Sequence, residues 1–345
     1  MKTLLTVIGA RPQFIKAAPV SRALRAQHTL REVVVHTGQH FDPGMSDVFL
    51  DELEMPRPDH HLNIGGGHHG EMTGRMIIAL EEVMLAERPA AVLIYGDTNS
   101  TLAGAIAAAK LFIPIAHVEA GLRSFRQMPE EINRVLADRV SRWLFCPTPA
   151  AVDNLAAEGI RSGVHAVGDV MYDTTLAMIE RARSRSKILE WLGLDRGRYD
   201  LATVHRAENT DSAEAFSDVI TYLAAAAREV PVVLPLHPRT RQAAQRYGMD
   251  LSALRVIDPV GFLDMMVLLA NCRRVLTDSG GLQKEAYFHR KPCVTLRDST
   301  EWVETVESGW NRLWRGPDYA QRREIAAYGD GRAALRIAQV LGDEV

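Results

Sequence analysis

The apolar residues of this chain fall in short, unbroken runs that alternate with longer segments of helical periodicity. Runs such as 91–95 (AVLIY) and 115–118 (IAHV) show no polar and apolar alternation. Strands buried on both faces have this character, and they occur in parallel sheets covered by helices. The pattern therefore predicts an α/β protein. The predicted strands are 4–8, 32–36, 91–95, 115–118, 143–146 and 164–167, followed by 199–204, 232–236, 255–257, 274–277 and 293–296.

The strand and helix pattern starts again after residue 168, which divides the chain in two. At 345 residues the chain is longer than one hydrophobic core usually spans. We predict two Rossmann-like, doubly wound domains over 1–168 and 169–330, joined by a long helix over 173–192. A detached final helix begins at 331. Because such folds bind ligands beyond the carboxyl ends of their strands, functional residues are expected directly after strands, facing a cleft between the domains.

Composition limits the classes of partner. The formal net charge is −3, from 40 basic and 43 acidic residues, so a nucleic-acid partner is not expected. No apolar stretch is long enough to cross a bilayer, and the start of the chain reads as a strand, so neither a membrane partner nor a signal peptide is expected. The three scattered cysteines predict buried reduced thiols and a cytoplasmic location.

The first predicted strand ends in the segment GARP, which places Arg11 at the start of a helix. Backbone N–H groups at a helix N-terminus favour an anion, and Lys16 follows one turn later. The segment predicts a phosphate site. A solvated basic residue at a helix start is the alternative interpretation.

Three carboxylates follow neighbouring strands of the first domain. Asp97 lies in YGDTNS, Glu119 in HVEAGLR, and Glu130 at the helix start PEEINR. Carboxyl groups that converge at one sheet edge differ in proton affinity, which suits general acid and base catalysis. The alternative is that they serve separately, as helix caps, macrodipole partners and salt bridges.

In the second domain, polar and aromatic side chains again follow strands. His205 and Arg206 come directly after the strand 199–204 and could face a pyrophosphate. His237 follows the next strand, and Phe262 opens a later helix. Both are candidates for the same site, although core packing is the alternative for Phe262.

A strand, a glycine turn and a helix meet at TDSGG, 277–281. The backbone N–H groups of Gly280 and Gly281 and the hydroxyl of Ser279 would cradle a phosphate. Glu285, one turn into the helix, is placed to accept hydrogen bonds from ribose hydroxyls.

Two other patterns do not predict sites. The segment GGGHHG, 65–70, matches G-x-G-x-x-G, but it follows no clear strand, so a dinucleotide site is not expected. The nearby histidines lack the spacing and the companion ligands of a metal centre, and no metal is expected. They are His60, His61, His68 and His69.

Taken in order, the motifs resemble the non-hydrolysing UDP-N-acetylglucosamine 2-epimerase family over nearly the whole chain. They are GARPQFIK, TGQH, YGDTNST, HVEAGLRS, MPEEINR, CPT, GDVMYD, HRAEN and TDSGGLQKE. The resemblance implies a glycosyltransferase-B-like fold, with the final helix 331–345 packed on the first domain. It also implies a UDP-sugar substrate, no cofactor and a homodimer.

The resemblance further implies a mechanism, in which a base removes the C2 proton of the sugar while UDP leaves C1. UDP then adds back to the resulting glycal after its other face is presented at C2. The residues implied to be catalytic are Asp97, Glu119, Glu130 and His205, with the base and the acid left open. The residues implied to bind substrate and UDP are Arg11, Lys16, Gln39, His205, Arg206, His237, Phe262, Ser279, Gly280, Gly281 and Glu285.

One departure bears on the substrate. The family usually has Thr and Glu where this chain has Ala10 and Gln13, and GARPQFIK with TGQHFD and MSDVF is more similar to the branch acting on UDP-2,3-diacetamido-2,3-dideoxy-D-glucuronic acid. That branch makes the manno epimer for bacterial surface polysaccharide (O-antigen). We expect this substrate, with neutral Gln13 removing a charge that would repel its carboxylate. The alternatives are UDP-N-acetylglucosamine as substrate, a hydrolysing epimerase, a glycosyltransferase of the same fold and a non-catalytic sugar-nucleotide sensor.

Overall fold

The chain forms two compact units. The computed structural model describes residues 1–39, 49–125 and 127–345. One unit comprises Met1–Leu176 together with Ala326–Val345, and the other comprises Ala177–Ile325. The sequence predicted the change of domain at 168, whereas the contacts divide the chain eight residues later, inside a helix.

The first unit is built on a seven-stranded sheet in which every pairing is parallel. Its strand order is β3-β2-β1-β4-β5-β6-β7. The central strands are buried on both faces, as the unbroken apolar runs predicted. The strands are β1 (Lys2–Ile8), β2 (Leu30–His36), β3 (His60–His61), β4 (Ala91–Tyr95), β5 (Ile115–Val118), β6 (Trp143–Cys146) and β7 (Val164–Ala166).

Helices cover this sheet. Small residues let the Ala-rich α3 lie close to the strands, since a Cβ added at Gly104 would lie 3.1 Å from Ile94 Cγ2 and 3.3 Å from Val7 Cγ2. The helices are α1 (Arg11–Gln27), α2 (His69–Glu87), α3 (Asn99–Lys110), α4 (Pro129–Val140), α5 (Pro149–Ala157) and α6 (Val170–Arg185).

The second unit repeats the design with six parallel strands in the order β10-β9-β8-β11-β12-β13. The strands are β8 (Asp200–Thr203), β9 (Val232–Pro235), β10 (Arg255–Ile257), β11 (Val275–Thr277), β12 (Cys293–Thr295) and β13 (Asn311–Leu313). The helices are α7 (Ile188–Trp191), α8 (Ala207–Thr210), α9 (Ala213–Ala226), α10 (Pro238–Tyr247), α11 (Phe262–Asn271), α12 (Gly280–Phe288) and α13 (Val303–Glu307). Two parallel sheets, each covered by helices, confirm the predicted α/β fold class.

The long helix predicted over 173–192 is wrong, because two helices occupy that stretch. α6 ends at Arg185, and α7 begins at Ile188. Between them, the Ser186 hydroxyl donates to Asp264 Oδ1 (2.6 Å) and its oxygen accepts from the Ile188 N–H (3.3 Å). A serine that bonds locally in this way competes with the helical hydrogen-bond pattern and ends α6.

The last helix, α14 (Ala333–Glu344), belongs to the first unit and packs against α1. Its two ends are fixed by the Ala334 N–H, which donates to Asp173 Oδ2 (2.8 Å), and by Glu344 Oε2, which accepts from Trp143 Nε1 (2.7 Å). In the described parts of the chain, no helix combines the length and apolar character that a membrane span requires.

Both sheets reverse their strand order at one point, between β1 and β4 in the first unit and between β8 and β11 in the second. The carboxyl ends of strands on either side of such a point leave a crevice in which ligands bind. In the first unit, the segments at that point follow β1 and β4. In the second unit, they follow β8 and β11. These segments contain the motifs singled out in the sequence.

Candidate functional site

The turn after β4 presents Asp97 at the edge of the first sheet. Thr98, not Asp97, caps α3, since its Oγ1 accepts from the Thr101 N–H (3.3 Å). The Asp97 carboxylate instead forms an ion pair with Arg134 of α4. The neighbouring Asn133 donates from Nδ2 to the Asp97 carbonyl (2.9 Å). Asp97 is therefore held by α4 through both its side chain and its backbone.

Glu119, directly after β5, is held just as firmly. Its carboxylate forms an ion pair with Lys16, and both side chains are only 9% exposed. A Cβ added at Gly96 would lie 2.9 Å from Lys16 Nζ and 3.2 Å from Glu119 Oε2, so the pair lies against the residue before Asp97. The structure thus brings Asp97 and Glu119 together at the ends of adjacent strands.

The backbone of Glu119 adopts an uncommon conformation. Its φ is +71°, in the left-handed region, which costs a residue with a side chain about 1 kcal/mol. The strained backbone is fixed by hydrogen bonds of 3.1 Å from the N–H groups of Glu119 and Ala120 to the Phe145 carbonyl. Residues kept in such conformations concentrate at functional sites, which supports a role for Glu119 in chemistry.

The third predicted carboxylate, Glu130, is half-buried in the first turn of α4. Among the described residues, none is hydrogen-bonded to its side chain. The adjacent Glu131 has the structural role, because its carboxylate accepts from the Ser124 N–H (3.0 Å) and hydroxyl (2.8 Å) and from the Phe125 N–H (3.1 Å). A catalytic role for Glu130 stays a prediction.

A buried glutamine fixes the turn that leads into α1. The fully buried Gln13 accepts from the N–H groups of Gly9 (2.8 Å) and Ala10 (3.0 Å). Its Nε2 donates to the Tyr95 carbonyl (3.0 Å) and to Thr101 Oγ1 (3.1 Å). These bonds occupy the N–H groups of Gly9 and Ala10, which precede α1, and a phosphate site at Arg11 stays a prediction. The expectation that neutral Gln13 removes a charge repelling the substrate carboxylate also stays a prediction.

Three further predicted binding residues lie at the same sheet edge. The Arg11 guanidinium lies 4.1 Å from the centroid of the Phe49 ring. The Lys16 ammonium forms the ion pair with the Glu119 carboxylate described above. Gln39 Oε1 accepts from the Ser100 N–H (3.0 Å) and hydroxyl (2.8 Å) at the start of α3. The motif residues 40–48 lie outside the described part of the chain.

In the second unit, a buried carboxylate arranges the segment after β8. Asp278, directly after β11, accepts from the backbone N–H groups of His205 and Arg206 (both 2.9 Å to Oδ2) and from Asn209 Nδ2 (3.1 Å). The His205 ring is also close, with Nδ1 3.4 Å from Asp278 Oδ1. Sequence reasoning missed Asp278, although it stands inside the TDSGG motif.

The aromatic candidates of this unit differ in exposure. The His205 side chain is 36% exposed, and its ring centroid lies 5.3 Å from that of His237. His237 is exposed and caps α10, since its Nδ1 accepts from the Arg239 N–H (3.2 Å). Phe262 is only 4% exposed, which favours the alternative of core packing.

The start of α12 has the geometry of an anion site. Ser279 caps the helix, and a Cβ at Gly280 would lie only 2.6 Å from Glu301 Oε1 and 3.6 Å from Arg206 Nη2. Arg206, 3.9 Å from the Glu301 carboxylate, lies beside the helix N-terminus. A cation beside the N–H groups of a helix N-terminus suits a phosphate. Gly281 and Glu285 follow in the same helix, both half-buried.

The histidines near the glycine segment have ordinary partners. His60 Nε2 lies 3.0 Å from Glu87 Oε1, and His69 Nδ1 lies 3.0 Å from Asn99 Nδ2. Residues 65–68 lead into α2 and not from a strand. Within the described residues, no three side chains of the metal-binding types form a group that could hold an ion.

Comparison with known proteins identifies the family. The protein family described as UDP-N-acetylglucosamine 2-epimerase matches residues 22–342. The chain is 52% identical to the UDP-2,3-diacetamido-2,3-dideoxy-D-glucuronate 2-epimerase of Pseudomonas aeruginosa, across 98% of this chain and 99% of that protein. It is 48% identical to the UDP-N-acetylglucosamine 2-epimerase homolog of Methanococcus maripaludis, across 98% and 99%.

A solved structure agrees with these relatives. The UDP-GlcNAc 2-epimerase of Methanocaldococcus jannaschii, crystallised with UDP-GlcNAc and UDP, superposes with a TM-score of 0.90 at 39% identity and covers 98% of each chain. The ordered motifs, the two parallel sheets and these matches lead to one conclusion. The chain belongs to the UDP-N-acetylglucosamine 2-epimerase family.

Proposed function

We propose that this protein is a UDP-sugar 2-epimerase, an isomerase that converts UDP-2,3-diacetamido-2,3-dideoxy-D-glucuronic acid to its manno epimer. The observation that carries the proposal is the pair of carboxylates, Asp97 and Glu119, each held by a buried cation at the ends of adjacent strands. A carboxylate fixed at the end of a strand is placed to act as a general base.

The proposed reaction needs only acid–base chemistry and a leaving group. One carboxylate takes the C2 proton, the C2–H electrons form the C1–C2 double bond, and UDP leaves with the electrons of the C1–O bond. In the return step the UDP oxygen attacks C1, and a carboxyl group delivers a proton to the opposite face of C2. The atoms balance without a redox step. The order in which Asp97 and Glu119 act is left open, and Glu130 and His205 remain candidates.

The second unit supplies groups that suit the departing diphosphate. The start of α12 and Arg206 form an anion site, and Asp278 fixes the backbone of the segment that carries His205 and Arg206. Positive groups aimed at a charge that grows during the reaction lower its barrier. We assign the diphosphate to these residues and the ribose to Glu285.

The choice of sugar rests on the Pseudomonas aeruginosa relative, which is named for this substrate and is 52% identical to the chain. UDP-N-acetylglucosamine is the alternative. Initial rates with the two UDP-sugars separate them, and we expect kcat/KM for the diacetamido uronate to be at least about 100-fold higher, because a site built for a charged group rejects an analogue that lacks it. A higher kcat/KM for UDP-N-acetylglucosamine would keep the reaction and overturn the substrate.

We also propose that the protein is a homodimer. Ile132, Leu136 and Val140 form an exposed apolar stripe along α4, at the i, i+4, i+8 spacing of one helix face. Ile78 and Leu85 are likewise exposed on α2, which packs with α4 against α3 on the same side of the sheet. Apolar surface gathered in this way marks a protein interface.

The cellular setting is proposed from the chemistry. We propose that the protein acts in the cytoplasm, on the route to a bacterial surface polysaccharide such as O-antigen. Its support is the named substrate of the 52% identical relative, and the scattered, buried cysteines suit a reducing compartment.

A further inference from the structure

His117, on β5, lies between two hydrogen-bond acceptors in the interior of the first unit. Its Nδ1 lies 2.8 Å from Asp138 Oδ1, and its Nε2 lies 2.7 Å from the Gly96 carbonyl oxygen. The side chains of His117 and Asp138 are both 0% exposed. Water therefore does not compete for either nitrogen, and the two acceptors decide where the ring carries hydrogens.

The acceptors require a hydrogen on each nitrogen. A carbonyl oxygen only accepts, so Nε2 donates to Gly96. Asp138 is an ionised carboxylate, because the positive charge of Arg123, whose Nη1 donates to the other oxygen (2.8 Å), favours that form. The same oxygen accepts from the Gly121 N–H (3.1 Å). Nδ1 must then donate as well. A ring that donates from both nitrogens is an imidazolium.

The balance of effects on Asp138 agrees with this assignment. Burial by itself would raise the pKa of the Asp138 carboxyl, but the hydrogen bonds and charges of His117 and Arg123 outweigh burial and hold that pKa below its ordinary value. The charges also cancel within the network, since Arg123 pairs with Glu158, the residue after α5 (2.6 Å). Cys146 of β6 also lies near Asp138, and its thiol is neutral because burial raises its pKa to about 12.

We propose that His117 is a standing imidazolium that positions both candidate catalytic carboxylates, a role that rests on the proposed epimerase function. The carbonyl that it binds belongs to the peptide joining Gly96 to Asp97. The Lys16–Glu119 pair lies against the bare Cα of the same glycine, and the Gly96 N–H donates to the Val118 carbonyl (2.9 Å). A fixed Gly96–Asp97 peptide holds the backbone of Asp97 in place. It also holds Gly96, against which the Glu119 side chain packs.

The ring carries a positive charge that Asp138 balances, and it acts on Gly96 as a hydrogen-bond donor. Asp138 enforces that charge, in the way that a buried carboxylate fixes the tautomer of a catalytic histidine. His117 is a positioning residue because the substrate does not touch it. Its effect reaches the reaction through Gly96.

The protonation state is tested on the wild-type protein labelled with ¹⁵N-histidine. We expect one ring to carry hydrogens on both nitrogens from pH 6 to pH 8.5 while exposed histidines titrate, and we expect this signal to be absent in His117→Gln. If that variant does not fold, the ring is identified by its failure to titrate. A spectrum in which every histidine at pH 8 has one bare nitrogen would overturn the proposal, whatever the enzyme does.

The catalytic part is tested with Asp138→Asn and a matched control. An amide cannot enforce the imidazolium, so we expect kcat to fall at least about tenfold with KM within about threefold of wild type. Glu158→Gln loosens the same network through a side chain that is 26% exposed but leaves both His117 bonds, and should stay within about twofold of wild type.

Equal losses in Asp138→Asn and Glu158→Gln, or a rise in KM as large as the loss of kcat, would reduce His117 to a structural residue and overturn the positioning role. A wild-type protein that turns over neither UDP-sugar would instead defeat the proposed function, and the nitrogen spectrum would still decide the charge of His117.

Discussion

At the scale of single residues, Glu119 combines a buried charge with a strained backbone. Its carboxylate is paired with Lys16, and its φ of +71° lies where glycine is favoured. Glycine would relieve the strain but would remove the carboxylate, so a side chain at this position is kept against its backbone preference. Such a conflict is typical of a residue retained for chemistry.

Replacing Glu119 with alanine and with glycine separates the two properties. Both variants lose the carboxylate and leave Lys16 unpaired, so both should lose at least about 100-fold in kcat. They differ only in backbone freedom, and we expect Glu119→Gly to be more stable than Glu119→Ala by about 1 kcal/mol. Urea unfolding of the two variants measures the difference. An alanine variant of equal or greater stability would show that the backbone is not strained.

The sequence predicted Asp97 and Glu119 at the carboxyl ends of strands but not the cations that hold them. Lys16 was assigned to phosphate, and Arg134 was overlooked, because these contacts join residues 103 and 37 positions apart. Strand ends can be predicted from local patterns, whereas partner choice depends on how helices pack over the sheet. The burial of Gln13 could not be predicted for the same reason.

At the scale of elements, the capping of α14 makes stability depend on pH. The Asp173 carboxylate receives the Ala334 N–H, yet its Oδ1 has no hydrogen-bond partner among the described residues. Burial raises the Asp173 pKa from 3.8 to about 6, and the N–H groups of Ala334 and Ala333 offset only part of that effect. The folded state therefore holds this proton more tightly than the unfolded chain does.

The sign of the resulting effect follows from linkage. Stability from this group is fully present below about pH 4 and is lost as the pH rises to about 6, where the loss reaches about 3 kcal/mol. Asp173→Asn keeps an oxygen for Ala334 and cannot ionise. We expect the unfolding free energy of the variant, minus that of wild type, to rise by about 2 to 3 kcal/mol between pH 4 and pH 7. A difference that is flat with pH in urea unfolding would contradict the assignment.

Most elements were predictable from local pattern. β4, β5 and β6 have the bounds that the sequence predicted, because each is an unbroken apolar run. The two-residue β3, the short α8 and α13, and β13 were missed. They are too short to show a period, and they depend on neighbours already in place.

At the scale of the whole molecule, the two units share one strand order, and each carries its motifs where that order reverses. The repeat of apolar runs predicted two such sheets. The reversal of strand order in each sheet explains why the motifs directly follow strands. In the described residues of the first unit, the motifs at this point carry the carboxylates. In the second unit, they carry the groups suited to a diphosphate.

The proposed homodimer gives a test at the same scale. Leu136→Arg places a charge in the middle of the apolar stripe on α4, where it is exposed in the single chain. We expect light scattering to show a dimer for wild type and a monomer for the variant. Leu335→Arg on α14, which replaces another exposed leucine outside the stripe, is the control and should stay dimeric. A monomeric wild-type protein, or a dimer that persists in Leu136→Arg, would place the interface elsewhere or remove it.

The most direct test of the central claim is proton NMR of the C2 position during turnover of UDP-2,3-diacetamido-2,3-dideoxy-D-glucuronic acid in deuterated water. If carboxylates at the first sheet edge remove and return the C2 proton, the manno product will carry deuterium at C2, and Asp97→Asn and Glu119→Gln will lose both exchange and epimerisation. A manno product that retains its original C2 hydrogen, or full activity in both variants, would contradict this account.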